Sequence, residues 1–193
     1  MQRRVRRSFA AATFGGALVV VWLAACGPQE PAPPKPKASP KVEKKDTAKA
    51  AIPSDKVVNI APFAKAKASS EFASGQYGAE KATDNGPAEW ATAGPKDNIG
   101  AWLQLTWDVP VKVGQVELED RRSGADWLTK GFLAFSDGPT TVPFGPLPDD
   151  GSPVKVDFDP RKVTWIRLVV DETGPNTQCI GLREFRVMGQ RAD

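Results

Sequence analysis

From Val57 onward the chain consists of short stretches in which apolar and polar side chains alternate, each closed by Gly, Pro, Asn or Asp. Residues 101–107 put Leu103, Leu105 and Trp107 on one side and Gln104 and Thr106 on the other. Ile166, Leu168 and Val170 alternate with Arg167 and Val169, and Val116 and Leu118 with Glu117 and Glu119. Successive side chains of a strand point to opposite faces, so each stretch predicts a half-buried antiparallel strand with the glutamates on the solvent face. Further strands are predicted over 57–60, 64–69, 131–135, 154–158 and 181–187. Turns are predicted at Asp108-Val109-Pro110, Ser136-Asp137-Gly138-Pro139, Asp149-Asp150-Gly151 and Asp159-Pro160. Residues 77–83 predict a single helical turn, and no longer amphipathic helix is visible. About eight strands without helices predict an all-β fold, a two-sheet jelly-roll sandwich.

The texture before Asp55 is different. Residues 27–54 are rich in Pro, Ala and Lys and almost free of large apolar side chains. Such a segment cannot offset the entropy of ordering its backbone, so it reads as a linker, extended where proline is dense. Ahead of it stand Arg3, Arg4, Arg6 and Arg7, an apolar run over 9–23, and then Ala24, Ala25 and Cys26. A spanning helix needs about 20 apolar residues, and this run is shorter and interrupted by Gly15-Gly16, so a signal peptide is expected rather than an uncleaved anchor. Leu23-Ala24-Ala25-Cys26 resembles the end of a bacterial lipoprotein signal peptide. That resemblance implies removal of 1–25, acylation of the Cys26 sulfur, and attachment to the cell envelope. Gly27 carries no inner-membrane retention signal, which implies the outer membrane. The expected organisation is a signal peptide over 1–25, a lipidated tether over 26–54 and one domain over 55–193.

Charge changes its meaning once the chain is divided this way. The whole sequence carries a formal charge of +3, but from Asp55 onward 16 basic residues face 20 acidic ones, a charge of −4. A mildly acidic domain is a poor partner for polyphosphate, so nucleic acid is excluded as a ligand. Acylation of Cys26 would leave Cys179 without an intramolecular partner, and Cys179 reads as a small packing residue. The sequence has no His, which removes His-based triads, His metal sites and the usual neutral-pH general base. Paired carboxylates could serve a glycosidase, but the acids here punctuate turns or face solvent, and no phosphate cradle or nucleophile elbow is present. The expected protein is not an enzyme.

Five motifs in order carry a family likeness: Asn59-Ile60-Ala61, residues 66–70, Ala82-Thr83-Asp84-Asn85-Gly86 leading to Trp90, Trp102-Leu103-Gln104-Leu105, and 181–187. Together they resemble the discoidin-like group, which includes the C-type domains of coagulation factors V and VIII and the family 32 carbohydrate-binding modules. The bacterial versions add Asp120-Arg121, residues 135–138 and Trp165-Ile166-Arg167. The resemblance implies a galactose-binding-like jelly roll over residues 57–189 whose end loops bind a ligand. The implied contacts are Asp120, Arg121, Arg122, Asp126 and Trp127 in one loop, with Asn176, Thr177 and Gln178 in a later one. Trp127 reads either as a loop-tip aromatic or as an inward-packed strand start. Arg121 reads either as a ligand contact or as an ion pair with Asp120 or Glu119. The resemblance also implies a structural calcium ion held by the Lys81 and Gly86 carbonyls, Asp84 and Glu184, all hard oxygen donors. Alternatively, Asp84 caps its own turn and Glu184 pairs with Arg183 or Arg186. Trp90, Trp107, Trp102 and Trp165 read as core or sheet-packing residues. The implied function is non-catalytic binding of carbohydrate by a membrane-tethered module. The alternatives are an envelope-protein interaction module without sugar binding and a purely structural domain.

Overall fold

The computed structural model describes residues 51–193 apart from Ser74. The expected signal peptide, Cys26 and most of the linker lie outside the described residues. Eight strands are present among them: β1 (Val58–Asn59), β2 (Lys65–Ala68), β3 (Trp90–Ala91), β4 (Trp102–Asp120), β5 (Leu128–Phe135), β6 (Gly138–Phe144), β7 (Val154–Thr173) and β8 (Gly181–Arg191). Short 3-10 turns occupy Ala61–Phe63, Ala79–Thr83 and Pro95–Asp97, the second falling within the helical turn read from the sequence. The strands pair antiparallel in the order β1-β8-β4-β7-β5-β6, with β2 against β4 and β3 against β8.

β4 and β7 span 19 and 20 residues, about twice the upper end of ordinary strand length. Each runs through both layers of the sandwich. The first half of β4 pairs Trp102–Thr106 with the Trp165–Val169 stretch of β7, and after a register break Val111 to Leu118 pair with Val163 to Val154. The turns predicted at Asp108-Val109-Pro110 and Asp159-Pro160 are therefore corners inside continuous strands. The inward positions change phase along β4. Leu103, Leu105, Trp107, Val111 and Val113 are buried, and so are Val116 and Leu118 after Gly114. The register shift between Val113 and Gln115 marks a bulge there, because one extra residue restores the inward aim of the following apolar side chains.

Leu103, Leu105, Leu133, Ile166 and Leu168 of one layer meet Leu118, Phe185 and Val187 of the other in a single core. Trp90 and Trp107 lie within it, and their indole N–H groups donate to the Ser70 and Ile60 carbonyls at 3.0 and 2.9 Å. Trp102 and Trp165 do not join them. Both occupy outward positions, alternating with buried Leu103 and Ile166. The ordered contacts also begin before Asp55, since Ile52 packs against the core and the Pro53 carbonyl accepts the Arg191 N–H at 2.8 Å.

Candidate functional site

Four loops meet where β3 and the start of β8 adjoin the ends of β4 and β7. Asp120 closes β4 and is fully buried. Its Oδ1 accepts the Arg121 N–H at 2.8 Å and its Oδ2 accepts the Leu128 N–H at 2.9 Å, so one carboxylate ties both ends of the 121–127 loop. Burial pushes this carboxyl up to about 7, outweighing the lowering influence of the two backbone donors and of Arg121. Asp120 therefore lies beneath the site and cannot touch a ligand, contrary to the expectation from sequence.

Arg121 is pinned on the same loop. Its Nε donates to Glu89 Oε1 and its Nη1 to the Cys179 carbonyl, both at 2.7 Å. The expected Asp120 or Glu119 ion pair is replaced by Glu89, which lies just before β3. Asp126 Oδ1 accepts the Gln178 N–H at 2.5 Å, and the Trp127 carbonyl accepts the Gly174 N–H at 2.9 Å. The Trp127 ring lies against Gly174, where a Cβ would come within 2.5 Å of it. Trp127 thus holds two loops together. Asn98 locks the later loop from inside. Its Oδ1 accepts Thr92 Oγ1 and the Ile180 N–H at 2.6 and 3.1 Å, and its Nδ2 donates to the Thr177 and Gln178 carbonyls at 3.3 Å. Thr177 is buried and donates to the Gly174 carbonyl, while the Asn176 carbonyl accepts Gln178 Nε2 at 3.0 Å.

The loops leave a pocket of 190 Å³ lined by Phe72, Tyr77, Ala91, Arg121, Asp126 and Cys179. Phe72 is 43% exposed, and its ring meets Tyr77 edge-on at 5.6 Å between centroids. A second recess of 360 Å³ lies on the other side of Tyr77, between Gln76, Pro87, Ala88 and Glu89. Arg121 and Asp126 reach the pocket, with Gln178 behind Asp126. Arg122 instead turns toward Glu119, at 3.3 Å. Cys179 is half-buried rather than packed away, and burial followed by the nearby Asp126 pushes its thiol up. Phe72, Tyr77 and Glu89 escaped the sequence reading. The available signal was two aromatics isolated among Gly, Ser and Gln between residues 70 and 78, one of them the sole Tyr of the chain. A cavity of 420 Å³ near Val57, Gly114, Pro160 and Met188 brings none of the candidate residues together.

The second group of candidates surrounds a bulge in β8. Asp120 pairs with Leu182 and Glu119 with Glu184, which leaves Arg183 as the extra residue. Glu119, expected in solvent, is only 5% exposed. Arg183 Nη1 donates to it, and Arg122 and Arg186 lie at 3.3 and 3.6 Å. Glu184 is 1% exposed, and its Oε1 has no hydrogen-bond partner. Burial pushes its carboxyl up to about 6; Arg186 and the Asn85 N–H pull it down, while Asp84 and Glu119 add to the rise. Asp84 Oδ1 accepts the Gly86 N–H at 2.6 Å, as its turn-capping reading requires. No cluster of three or more metal-binding side chains occurs among the described residues. Even so, an orphaned buried carboxylate oxygen beside a second carboxylate fits a hard cation completed by backbone carbonyls.

A jelly-roll sandwich of this topology, with its loops gathered over a pocket at one end, has the galactose-binding-like fold. The chain belongs to the family described as a domain of unknown function, DUF7402, which matches residues 59–188. No curated protein matches it. Among solved structures it is similar to chitosan-binding module 1 from a chitosanase/glucanase of Paenibacillus sp. IK-5, at 22% identity and a TM-score of 0.56, covering 67% of this chain and 98% of that one. It is also similar to the family 32 carbohydrate-binding module of C. perfringens NanJ in complex with galactose, at 20% identity and a TM-score of 0.56, covering 69% and 98%. A fucolectin from the serum of striped bass, Morone saxatilis, gives 15% identity and a TM-score of 0.57, covering 70% and 50%. At these identities the likeness establishes the fold.

Proposed function

We propose that this protein is a non-catalytic carbohydrate-binding module, held at the bacterial outer membrane through an acylated Cys26. The observation that carries the sugar reading is the exposed Phe72 ring, backed by half-buried Tyr77 and set against Arg121 and Asp126 in one concave pocket. An aromatic ring covers the apolar face of a sugar, while a few fixed polar groups take its hydroxyls. Arg121, Asp126 and Gln178 supply those groups. Asp120, Trp127 and Asn176 hold the loops that position them. The chitosan-binding and galactose-bound modules among the structural neighbours add support to a glycan ligand. A calcium ion belongs to the same proposal, bound by Asp84 and Glu184 with the Lys81 and Gly86 carbonyls. It would neutralise the Glu184 oxygen that the protein leaves unpaired, and so brace the 79–86 segment against β8.

A glycan array tests the reading, using the chain with Cys26→Ser, with and without chelator. Binding to defined glycans that is weakened in Phe72→Ala is expected. Absence of binding in both conditions at high protein concentration sinks the sugar reading.

A further inference from the structure

The outward face of the layer formed by β2, the first half of β4, the second half of β7 and β5 differs from what an antiparallel sandwich requires. Such a face normally carries polar residues over water. Here the register lines up Trp102, Val169 and Phe132 in one row across three strands. The next row is Lys67, Gln104 and Arg167, and the third is Lys65, Thr106 and Trp165. None of these side chains is buried, and each alternates with a core residue.

Arg167 stands at the centre. Its guanidinium lies 4.6 Å from the Trp102 ring and 5.7 Å from the Trp165 ring. Its Nε and Nη2 both donate to Gln104 Oε1, at 2.9 and 2.6 Å, and Gln104 Nε2 donates in turn to Thr106 Oγ1 at 3.0 Å. The cation is thus oriented by a neutral amide and two indoles, which fix its geometry without cancelling its charge. The three rows contain no carboxylate, and those that flank them are Asp108, paired with Lys65 at 2.5 Å, Glu172, paired with Lys130 at 2.7 Å, and Asp171, exposed two residues past Val169. In a domain whose formal charge is −4 from Asp55 onward, the centre of this face is a cationic, aromatic platform.

We propose that this sheet face is a second binding surface, separate from the loop-end pocket, for a carboxylate-bearing polysaccharide laid across the strands. Planar guanidinium pairs with planar carboxylate through parallel hydrogen bonds, and Arg167 is held in place for that contact. Trp165 and Phe132 offer apolar surface to the sugar rings on either side of the charge. Lys67, exposed one strand beyond Gln104, supplies the second cation that a polymer repeating its carboxylates would meet. This surface does not depend on the loop-end reading.

Affinity electrophoresis of the full chain through gels containing polygalacturonate, its fully methyl-esterified form or neither tests the proposal. Retardation by polygalacturonate alone is expected. Arg167→Gln and Lys67→Glu are each expected to weaken it by roughly tenfold, the scale of one lost charge-assisted contact, while Phe72→Ala leaves it unchanged. Lys67 is exposed, so its variant reports on the surface even if the Arg167 variant folds poorly. Equal retardation by the esterified polymer, an unchanged Lys67→Glu variant, or loss in Phe72→Ala overturns the proposal. Binding to phosphatidylglycerol vesicles without retardation by polygalacturonate also overturns it, in favour of a lipid surface.

Discussion

Asp120 shows how one side chain can look like a ligand contact and serve as a latch. The Asp120-Arg121 pair was legible through its family motif. That the first residue turns inward and the second lies across Glu89 was not, because the outcome depends on β3 and β8 arriving from distant sequence. The raised carboxyl has a signed consequence. A folded-state value of about 7 against an ordinary 3.8 means that the folded chain binds this proton more tightly than the unfolded one. The contribution is fully stabilising below the unfolded value and is lost as pH rises through the folded one. Urea unfolding is therefore expected to show wild type losing more stability between pH 5 and pH 8 than Asp120→Asn, in which this titration is gone. The variant should also lose about 1–3 kcal/mol at pH 5, since an amide N–H₂ faces a backbone donor. At the mouth of the pocket, Phe72→Ala is expected to weaken glycan binding by roughly five- to tenfold while changing stability by less than about 1 kcal/mol, because the ring is half in solvent. Glu184 supplies the matching metal prediction. Calcium should raise the melting temperature and a chelator reverse it, and both effects should vanish in Glu184→Gln. A melting temperature indifferent to calcium in wild type removes the ion.

At the level of elements, alternation revealed the strands that cross the core, and it failed where pairing rather than pattern defines a strand. β3 is two residues long and too short to alternate. β6 carries Pro139 and Pro143 and is largely exposed, so its sequence resembles a turn; it exists because β5 pairs with it as an edge strand. The phase slip at Gly114 was present in the sequence as the change from odd to even apolar positions, but it reads as a bulge only once both flanks are known to be one strand. Two glycines separate these ideas experimentally. A Cβ on Gly181 would sit 1.8 Å from the Trp90 carbonyl oxygen and 2.8 Å from Arg121 Cδ, whereas one on Gly114 would find nothing nearer than 3.5 Å. Gly181→Ala is expected to push β3 off β8, costing about 2–3 kcal/mol in denaturant unfolding and displacing Arg121 from the pocket. Gly114→Ala should cost less than about 1 kcal/mol and leave ligand binding intact. Equal losses would mean that the β3–β8 contact is not what positions Arg121.

Across the described residues β8 links the pocket to the point where residues 53 and 54 join the fold. β8 begins at Gly181, paired with Ala91 beside the pocket, and ends 11 residues later at Arg191. At about 3.3 Å per residue the strand covers roughly 30 Å. Arg191 is where the chain enters the fold: its N–H donates to the Pro53 carbonyl, and Gln190 Nε2 donates to the Ser54 carbonyl at 3.0 Å. Residues 53 and 54 therefore join the fold at the end of β8 remote from the pocket. Alternation alone did not show at which end of the sandwich residues 53 and 54 join the strands, because their partners, Gln190 and Arg191, are distant in sequence. Orientation is testable without a membrane. With Cys26→Ser and Cys179→Ser removing the native thiols, a single cysteine introduced at exposed Ala51 or at exposed Ala125 in the 121–127 loop can capture the chain on a dense surface. Capture through position 51 is expected to preserve glycan capacity, and capture through position 125 to reduce it severalfold, although both variants bind equally in free solution. Equal capacity from both surfaces would place the ligand away from the loop end. In cells, if Cys26 is acylated as proposed, Cys26→Ser should move the protein out of the membrane fraction while its glycan affinity in solution stays unchanged, because every residue lining the pocket lies at or beyond Phe72 in the chain.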